Sequence, residues 1–264
     1  FAAYVAVFKH DLKGLLAYST ISHLGLIVFL IGLNSPLSAV AAVFHILNHA
    51  TFKASLFMAA GIMDHETGTR DIRRLSGLRT MMPITATLAM VASAAMAGVP
   101  LLNGFLSKEM FFAETIGNPQ FAAYAGLTYL VPAFATLAGM LSVAYSLRFG
   151  HDVFFGPPTD DTPRRPHEPV RWMRVPVELL VLACVVVGTV PAWSVGWLLA
   201  TAARPVVGGS LPDYSLAVWH GVNAPLLMSL LALLLGLLVY RRYAPVLRER
   251  AGRCAPLLTR LDGQ

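Results

Sequence analysis

Apolar positions run along this chain in long unbroken blocks. No Asp, Glu, Lys or Arg occurs in 14–52, 80–107, 115–147, 179–203 or 214–240, and the shortest of these blocks holds 25 residues. A helix needs roughly 20 apolar residues to cross a bilayer, so every block can span one and the first can hold two. A turn at Asn34-Ser35-Pro36 divides that first block by residue type. The blocks are continuously apolar and lack the period-two alternation of a barrel strand. The pattern predicts helices over 14–33, 37–63, 82–101, 103–117, 122–147, 175–199 and 217–240, with 1–8 as the tail of an eighth. The expected fold class is all-α, a polytopic transmembrane bundle of about seven helices plus a helix stub. The small residues of Ala92-Ser93-Ala94-Ala95-Met96-Ala97-Gly98 would let neighbouring backbones approach closely. Phe1 lies inside an apolar run with no Met and no signal-peptide pattern, which reads as a fragment lacking its N-terminal part.

Composition sharpens this picture. Of the 264 residues 56% are hydrophobic and 13% charged, about half the roughly 25% charge of soluble domains. That excludes a disordered chain and argues against an ordinary soluble domain. Two cysteines, Cys184 and Cys254, cannot build a disulfide framework, and neither sits in a metal or catalytic-thiol spacing. No cofactor, no metal and no catalytic nucleophile is expected. The net charge of +6 has no separate basic domain behind it, so nucleic acid is not an expected partner. The lipid bilayer is.

Polar residues gather in Lys9–Lys13, in 64–81, in the Pro-rich connection 150–174 and after Tyr240. If every predicted helix crosses once, Lys9, Lys13, Arg70, Arg73, Arg74, Arg79 and Arg204 share one side. Arg148, Arg164, Arg165, Arg171, Arg174 and the six C-terminal arginines share the other. The positive-inside rule then favours the second side as cytoplasmic by a small margin. If 103–117 does not span, the parity after it reverses.

Four lysines are present, and two of them, Lys53 and Lys108, fall inside apolar helices. A charge near the bilayer centre costs at least about 2.5–3.5 kcal/mol, and such residues face a bundle interior or a wet cavity. The plainer alternative is a lysine near a helix end that snorkels to the interface. Lys53 is near the middle of its helix and has titratable neighbours. His45, His49 and Lys53 are spaced i, i+4, i+8, on one helical face with about 6 Å per step, and Asn48 flanks them. A lone membrane histidine is usually a packing residue, but three titratable groups on one stripe can pass protons through intervening water, since imidazole both donates and accepts. Lys53 is thus a candidate proton store. Lys108 follows Gly98-Val99-Pro100 and Asn103-Gly104, a Gly/Pro density that interrupts a helix and frees backbone carbonyls. Lys108 is expected in a helix interrupted near Pro100 to Ser107, facing a polar cavity. Its neighbour Glu109 points about 100° away along a helix and could partner a group on another one.

These residues carry a family resemblance. Lys13-Gly14-Leu15-Leu16-Ala17-Tyr18-Ser19-Thr20-Ile21-Ser22-His23-Leu24-Gly25, His45-Ile46-Leu47-Asn48-His49-Ala50-Thr51-Phe52-Lys53-Ala54 and Gly98-Val99-Pro100 followed by Gly104-Phe105-Leu106-Ser107-Lys108-Glu109 resemble the antiporter-like subunits of respiratory complex I and its relatives. Gly68-Thr69-Arg70-Asp71, Gly77-Leu78-Arg79, Met82-Pro83-Ile84-Thr85-Ala86 and Trp219-His220-Gly221-Val222-Asn223 narrow the resemblance to the A-type subunits of multisubunit Mrp-type monovalent cation/proton antiporters. The resemblance covers about residues 1–240. It implies two inverted five-helix repeats, each with a discontinuous helix, of which this chain holds the second. It also implies Lys53 as the central-axis lysine and Lys108 as the lysine of the broken helix, with His45 and His49 as neighbours of Lys53 and with Glu109, His23 and Asn48 as possible accessory groups. Residues 1–150 would form that repeat, 151–174 a polar loop, and 175–264 further helices and a basic tail. The implied location is the cell inner (plasma) membrane, multi-pass, with a cytoplasmic C-terminal side.

The function expected is proton conduction within a hetero-oligomeric antiporter, coupled to Na⁺ or another monovalent cation moving the opposite way. The protein is then one subunit of a secondary transporter, not an enzyme, and its partners are the other subunits, protons and the cation. A second reading is a proton-pumping subunit of a quinone-reducing or hydrogenase-linked complex. The chain carries no CxxC cluster, flavin fingerprint or quinone motif for that redox chemistry. A third is a scaffold subunit, which would keep transport after replacement of Lys53 and Lys108.

Overall fold

The turn expected at 34–36 is built by its residue types. In the computed structural model, which describes residues 1–118, 121, 125–158 and 161–248, Asn34 takes a left-handed φ of 50°. Ser35 then caps the next helix, trading hydrogen bonds with Ser38, and Pro36 opens it at a position where no N–H is needed. The described helices are α1 (Ala2–Phe8), α2 (Leu12–Gly32), α3 (Pro36–Thr67), α4 (Pro83–Ala97), α5 (Asn103–Gly117), α6 (Ala125–Leu147), α7 (Arg171–Thr189), α8 (Pro191–Val207) and α9 (Ala224–Arg248). Four segments are long and apolar enough to cross a membrane: Leu12–Gly32, Gly126–Asp152, Arg171–Thr189 and Ala224–Pro245. α3, 32 residues long, carries the stripe of His45, His49 and Lys53, with Asn48 beside it, and is not among them.

The core and the outside are both apolar. Leu12, Leu15, Leu16, Phe52, Leu56 and Ala89 are buried together, while Val28, Leu179, Leu182 and Leu234 point outward. A helix that is apolar all round is what a lipid-surrounded bundle requires.

Two spans are broken, and they correct the predicted boundaries. The helix expected over 82–101 stops at Ala97, because Gly98 takes φ 86° and Leu101 φ 68°. α4 and α5 are 15 residues each, about 22 Å apiece and each short of the roughly 30 Å hydrocarbon core. End to end they run from Glu168 at the start of α4 to Ser35 beside Glu114 in α5, long enough to cross it once between them. Gly104 makes the close approach, since a Cβ there would sit 1.9 Å from the Ala95 carbonyl oxygen. The break thus falls at 98–102, ahead of Lys108, and α5 is continuous through Ser107. The single helix expected over 175–199 is two, α7 and α8, because Pro191 cannot continue α7 and instead starts α8. Gly188 lies so close to the Leu101–Leu102 backbone that a Cβ would come within 2.3 Å of the Leu101 oxygen, so the two breaks are neighbours. The helix expected over 217–240 begins only at Ala224, where the Asn223 side chain accepts from Leu226 N at 2.8 Å. Positions 122–124 of the helix expected over 122–147 lie outside the described residues, as do Arg250, Arg253, Cys254 and Arg260.

Because α4 and α5 cross once between them, the once-per-helix parity fails. Leu12 N reaches Arg70 O at 2.9 Å, Lys13 meets Asp64 at 2.9 Å, and Arg148 donates to the carbonyls of Val7 and Lys9. Arg74 donates to Asp161 O at 2.8 Å and Arg164 to His65 O at 2.8 Å. Glu168 caps α4 at Ile84 N (2.6 Å) and holds Arg174 at 3.5 Å. The two groups of basic residues expected on opposite sides are therefore at one end. Among the described residues, that end holds every Lys and Arg except Lys53, Lys108 and Arg204. The other end, where Ser35 donates to Glu114 at 2.8 Å, carries Glu114 and Asp213. At the basic end, burial alone would raise the Asp71 carboxyl, but hydrogen bonds and charge from Arg73 outweigh it and hold the carboxyl below its ordinary range.

Candidate functional site

The helices bring the polar residues of the interior into one continuous band. α3 supplies His45, His49 and Lys53, as the i, i+4, i+8 spacing requires, and all three are buried. α2 crosses beside it and presents Ser19 and His23, also four apart and also buried. α5 adds Ser107 and Lys108. α6 closes the group with Ser142 and Tyr145.

Lys53 is 4% exposed. Its ammonium donates to the Ser19 hydroxyl, to Leu16 O at 3.3 Å and to the Met96 sulfur at 3.4 Å. Lys108 is 6% exposed and donates to Met96 O and Ala97 O, both at 2.8 Å, and to Ser142 Oγ at 2.9 Å. The break in the span provides those two acceptors. The carbonyls of a helix's last turn have no partner within the helix, and the residue four beyond Met96 is Pro100, which has no N–H to give. The end of α4 therefore turns its free carbonyls and the negative end of its dipole toward the ammonium. Neither lysine meets a carboxylate among the described residues. Met96 stands between them, its sulfur on Lys53 and its carbonyl on Lys108.

The histidines form a stack rather than a row. His23 Nδ1 and His45 Nε2 are 3.0 Å apart, with ring centroids at 5.2 Å and planes within 17°. His49 lies 5.1 Å from the His23 ring and 6.2 Å from the His45 ring. His45 continues to Ser107 Oγ at 3.1 Å, and His23 to the Tyr145 hydroxyl at 3.2 Å. A neutral imidazole carries one donor and one acceptor, so this chain can reverse its direction by switching tautomers. His49 Nε2 and Asn48 Nδ2 are buried without a hydrogen-bond partner among the described residues, and buried groups of this kind are the ones a water satisfies. Asn48 is off the stripe, with its carbonyl accepting from Asn103 at 3.3 Å.

Glu109 is turned away from both lysines. Its Oε1 is 3.4 Å from Asn223 Nδ2 and 3.7 Å from His220 Nδ1. These line a cavity of about 320 Å³, shared with Glu114 and Asp213, at the end opposite the arginines. The sequence reading missed Ser19, Met96, Ser107, Ser142 and Tyr145 as members of the band. Ser142, Tyr145 and Ser146 stand at i, i+3, i+4 in an uncharged block, which was the available signal.

The chain is similar to known proteins. Residues 1–137 match the family described as NADH:quinone oxidoreductase/Mrp antiporter, TM. The chain is 67% identical over 242 residues to a probable K(+)/H(+) antiporter A/B subunit of Rhizobium meliloti (strain 1021), covering 90% of this chain and 24% of that protein. It is 37% identical over 254 residues to the Na(+)/H(+) antiporter A subunit of Bacillus subtilis (strain 168), covering 89% and 32%. Among solved structures, that of the Mrp complex from Dietzia sp. DQ12-45-1b superimposes with a TM-score of 0.78 at 35% identity, over 99% of this chain and 28% of that one. Respiratory complex I from Thermus thermophilus with bound NADH follows at a TM-score of 0.64 and 27% identity, over 79% and 42%. The chain thus spans about a quarter to a third of the length of these curated relatives. The resemblance to A-type Mrp subunits that the motifs carried is borne out by those names. The match over its first 137 residues makes the chain a member of the NADH:quinone oxidoreductase/Mrp antiporter transmembrane family.

Proposed function

We propose that this chain is part of a membrane subunit of a multisubunit monovalent cation/proton antiporter and that its buried band carries the proton. One observation supports this above the others: Lys53 and Lys108 are buried with hydroxyls, carbonyls and sulfur for company and no carboxylate among the described residues. A proton can leave either amine without breaking an ion pair. Lys53 stores and relays it, the histidines pass it, and Lys108 takes it on at the broken span. The cation is monovalent. Relatives named for K⁺ and for Na⁺ both stand near this chain, and the other subunits complete its path. The redox-linked alternative is less supported, since both of those relatives are named as antiporter subunits.

The basic end faces the cytoplasm in this reading, because the arginines now gather there instead of dividing. A cysteine at Trp219, which is exposed at the acidic end, should react with an impermeant thiol reagent added to intact cells. Labelling only after the cells are opened would invert the orientation. For the transport itself, the full-length subunit in its assembled complex should collapse an imposed ΔpH in vesicles on addition of NaCl or KCl. No response to either salt, from a complex of normal composition, would remove the antiport reading.

Single alanine variants of His45 and His49 are expected to shift the pH optimum of exchange and not to abolish it, because water can stand in for a missing imidazole in a hydrated chain. His45→Ala should be the stronger of the two, since it strips a partner from both His23 and Ser107. If both variants match wild type across about pH 6 to 9, the histidines only pack.

A further inference from the structure

We propose that Tyr145 and Ser142 of α6 form the proton bridge between the histidine stack and Lys108, an inference that rests on the proton-carrying reading of the band. The stack has two exits. One runs from His45 to Ser107, but the Ser107 hydroxyl turns back onto Gly104 O at 3.3 Å and, among the described residues, has no bond to the Lys108 amine. The other runs from His23 Nε2 to the Tyr145 hydroxyl at 3.2 Å. That hydroxyl neighbours Ser142 and Ser22, and Ser142 Oγ is 2.9 Å from Lys108 Nζ. The second exit therefore reaches the lysine and the first does not.

Shape agrees with the bonding. A small cavity of about 10 Å³ is lined by Ser22, His23, Lys108, Ser142 and Tyr145, the scale of a single water. Tyr145 is fully buried, and its ring would be an ordinary core aromatic but for the hydroxyl set between an imidazole and a serine. Ser142 also donates to Met96 O at 3.2 Å, so the bridge ends on the same free carbonyl that holds the ammonium.

The transfer balances without any group outside the band. A protonated His23 gives its Nε2 proton to the Tyr145 oxygen. The phenolic proton moves on to Ser142 Oγ, directly or through one water, and the serine proton passes to the neutral Lys108 amine. Three O–H or N–H bonds form and three break. One positive charge leaves His23 and one appears on Lys108, and rotation of the two hydroxyls resets the bridge.

The test uses the full-length subunit in its assembled complex, in inverted membrane vesicles, with exchange read from a ΔpH dye and complex level from blotting. Tyr145→Phe keeps the ring and removes only the hydroxyl, so it leaves the packing in place. It should lower exchange at least about tenfold, a floor below the roughly 100-fold or more that a positioned proton-transfer group contributes. Ser142→Ala should lower it comparably. The double variant should be no worse than the poorer single, because links in series fail together. A strictly additive double, or near-normal exchange in Tyr145→Phe at normal level, overturns the bridge. Lys53→Ala, run alongside, separates the two failures. If it is inactive while Tyr145→Phe is normal, the bridge falls and the function stands; if all variants exchange normally, the proton-carrying reading falls with it. A fluorinated tyrosine at 145 should displace the pH profile of exchange, which a purely packing role would not do.

Discussion

Lys53→Ala is expected to bring cation-driven proton exchange down at least about tenfold, by removal of a proton-carrying group, while the complex assembles at its normal level. The loss follows from position. Lys53 is the one titratable group on its stretch of the band: the nearest imidazole on α3, His49, is one turn away, and its other neighbours are the Ser19 hydroxyl, Leu16 O and the Met96 sulfur. None of these can store a proton. Assembly survives because the ammonium contributes little to holding the fold. Burying a charge in a bilayer costs at least about 2.5–3.5 kcal/mol, and removing it leaves behind one serine and one carbonyl that already have local partners. The Ser19 hydroxyl donates to Leu16 O at 2.8 Å within α2. Lys53→Arg should be poor as well, because guanidinium keeps its proton at any working pH. Near-normal exchange in Lys53→Ala, at matched protein level, would remove the storage role.

The second large effect belongs to Lys108, and here structure and transport have to be separated. Lys108→Ala withdraws the donor from Met96 O and Ala97 O at the end of α4. Ser142 still reaches Met96 O, but the Ala97 carbonyl loses this donor, and a stranded buried carbonyl costs about 1–3 kcal/mol, so this variant should lose both exchange and some thermal stability. Lys108→Gln divides the two. Its amide can still donate to a freed carbonyl but cannot carry a proton at working pH, so it should assemble well and exchange poorly. A Lys108→Gln complex with wild-type exchange would reduce Lys108 to a cap on a broken helix.

The block pattern located most of the spans, and the reasons for the failures are local. Lys53 and the histidines were legible because ionisable groups at i, i+4, i+8 in an uncharged helix cost too much to be there for packing alone. The break before Lys108 was legible from Gly98, Pro100 and Gly104. The split at Val190 and Pro191 was passed over, because a proline inside an apolar run also occurs in membrane helices whose neighbours satisfy the freed carbonyls. Counting α4 and α5 as separate crossings divided the arginines between two sides that are in fact one end. Ser19, Ser107, Ser142 and Tyr145 were hidden for a different reason. A hydroxyl in a membrane helix usually bonds its own backbone, as Thr51 does to Leu47 O at 2.9 Å. Only the packing of α2, α5 and α6 around α3 reveals which hydroxyls face the histidines. Glu109 illustrates the same limit, since its partners lie 111 and 114 residues along the chain, at His220 and Asn223.

The most direct test of the central claim is proton flux through the purified full-length complex in proteoliposomes, with Lys53→Ala and Lys108→Gln combined in one subunit. Flux is measured after a Na⁺ or K⁺ pulse at matched complex content. If the band carries the proton, the pulse should move no more protons than in empty liposomes. Flux within about twofold of wild type, a difference too small to represent a lost transport step, would mean that the proton travels elsewhere and that the band is architecture.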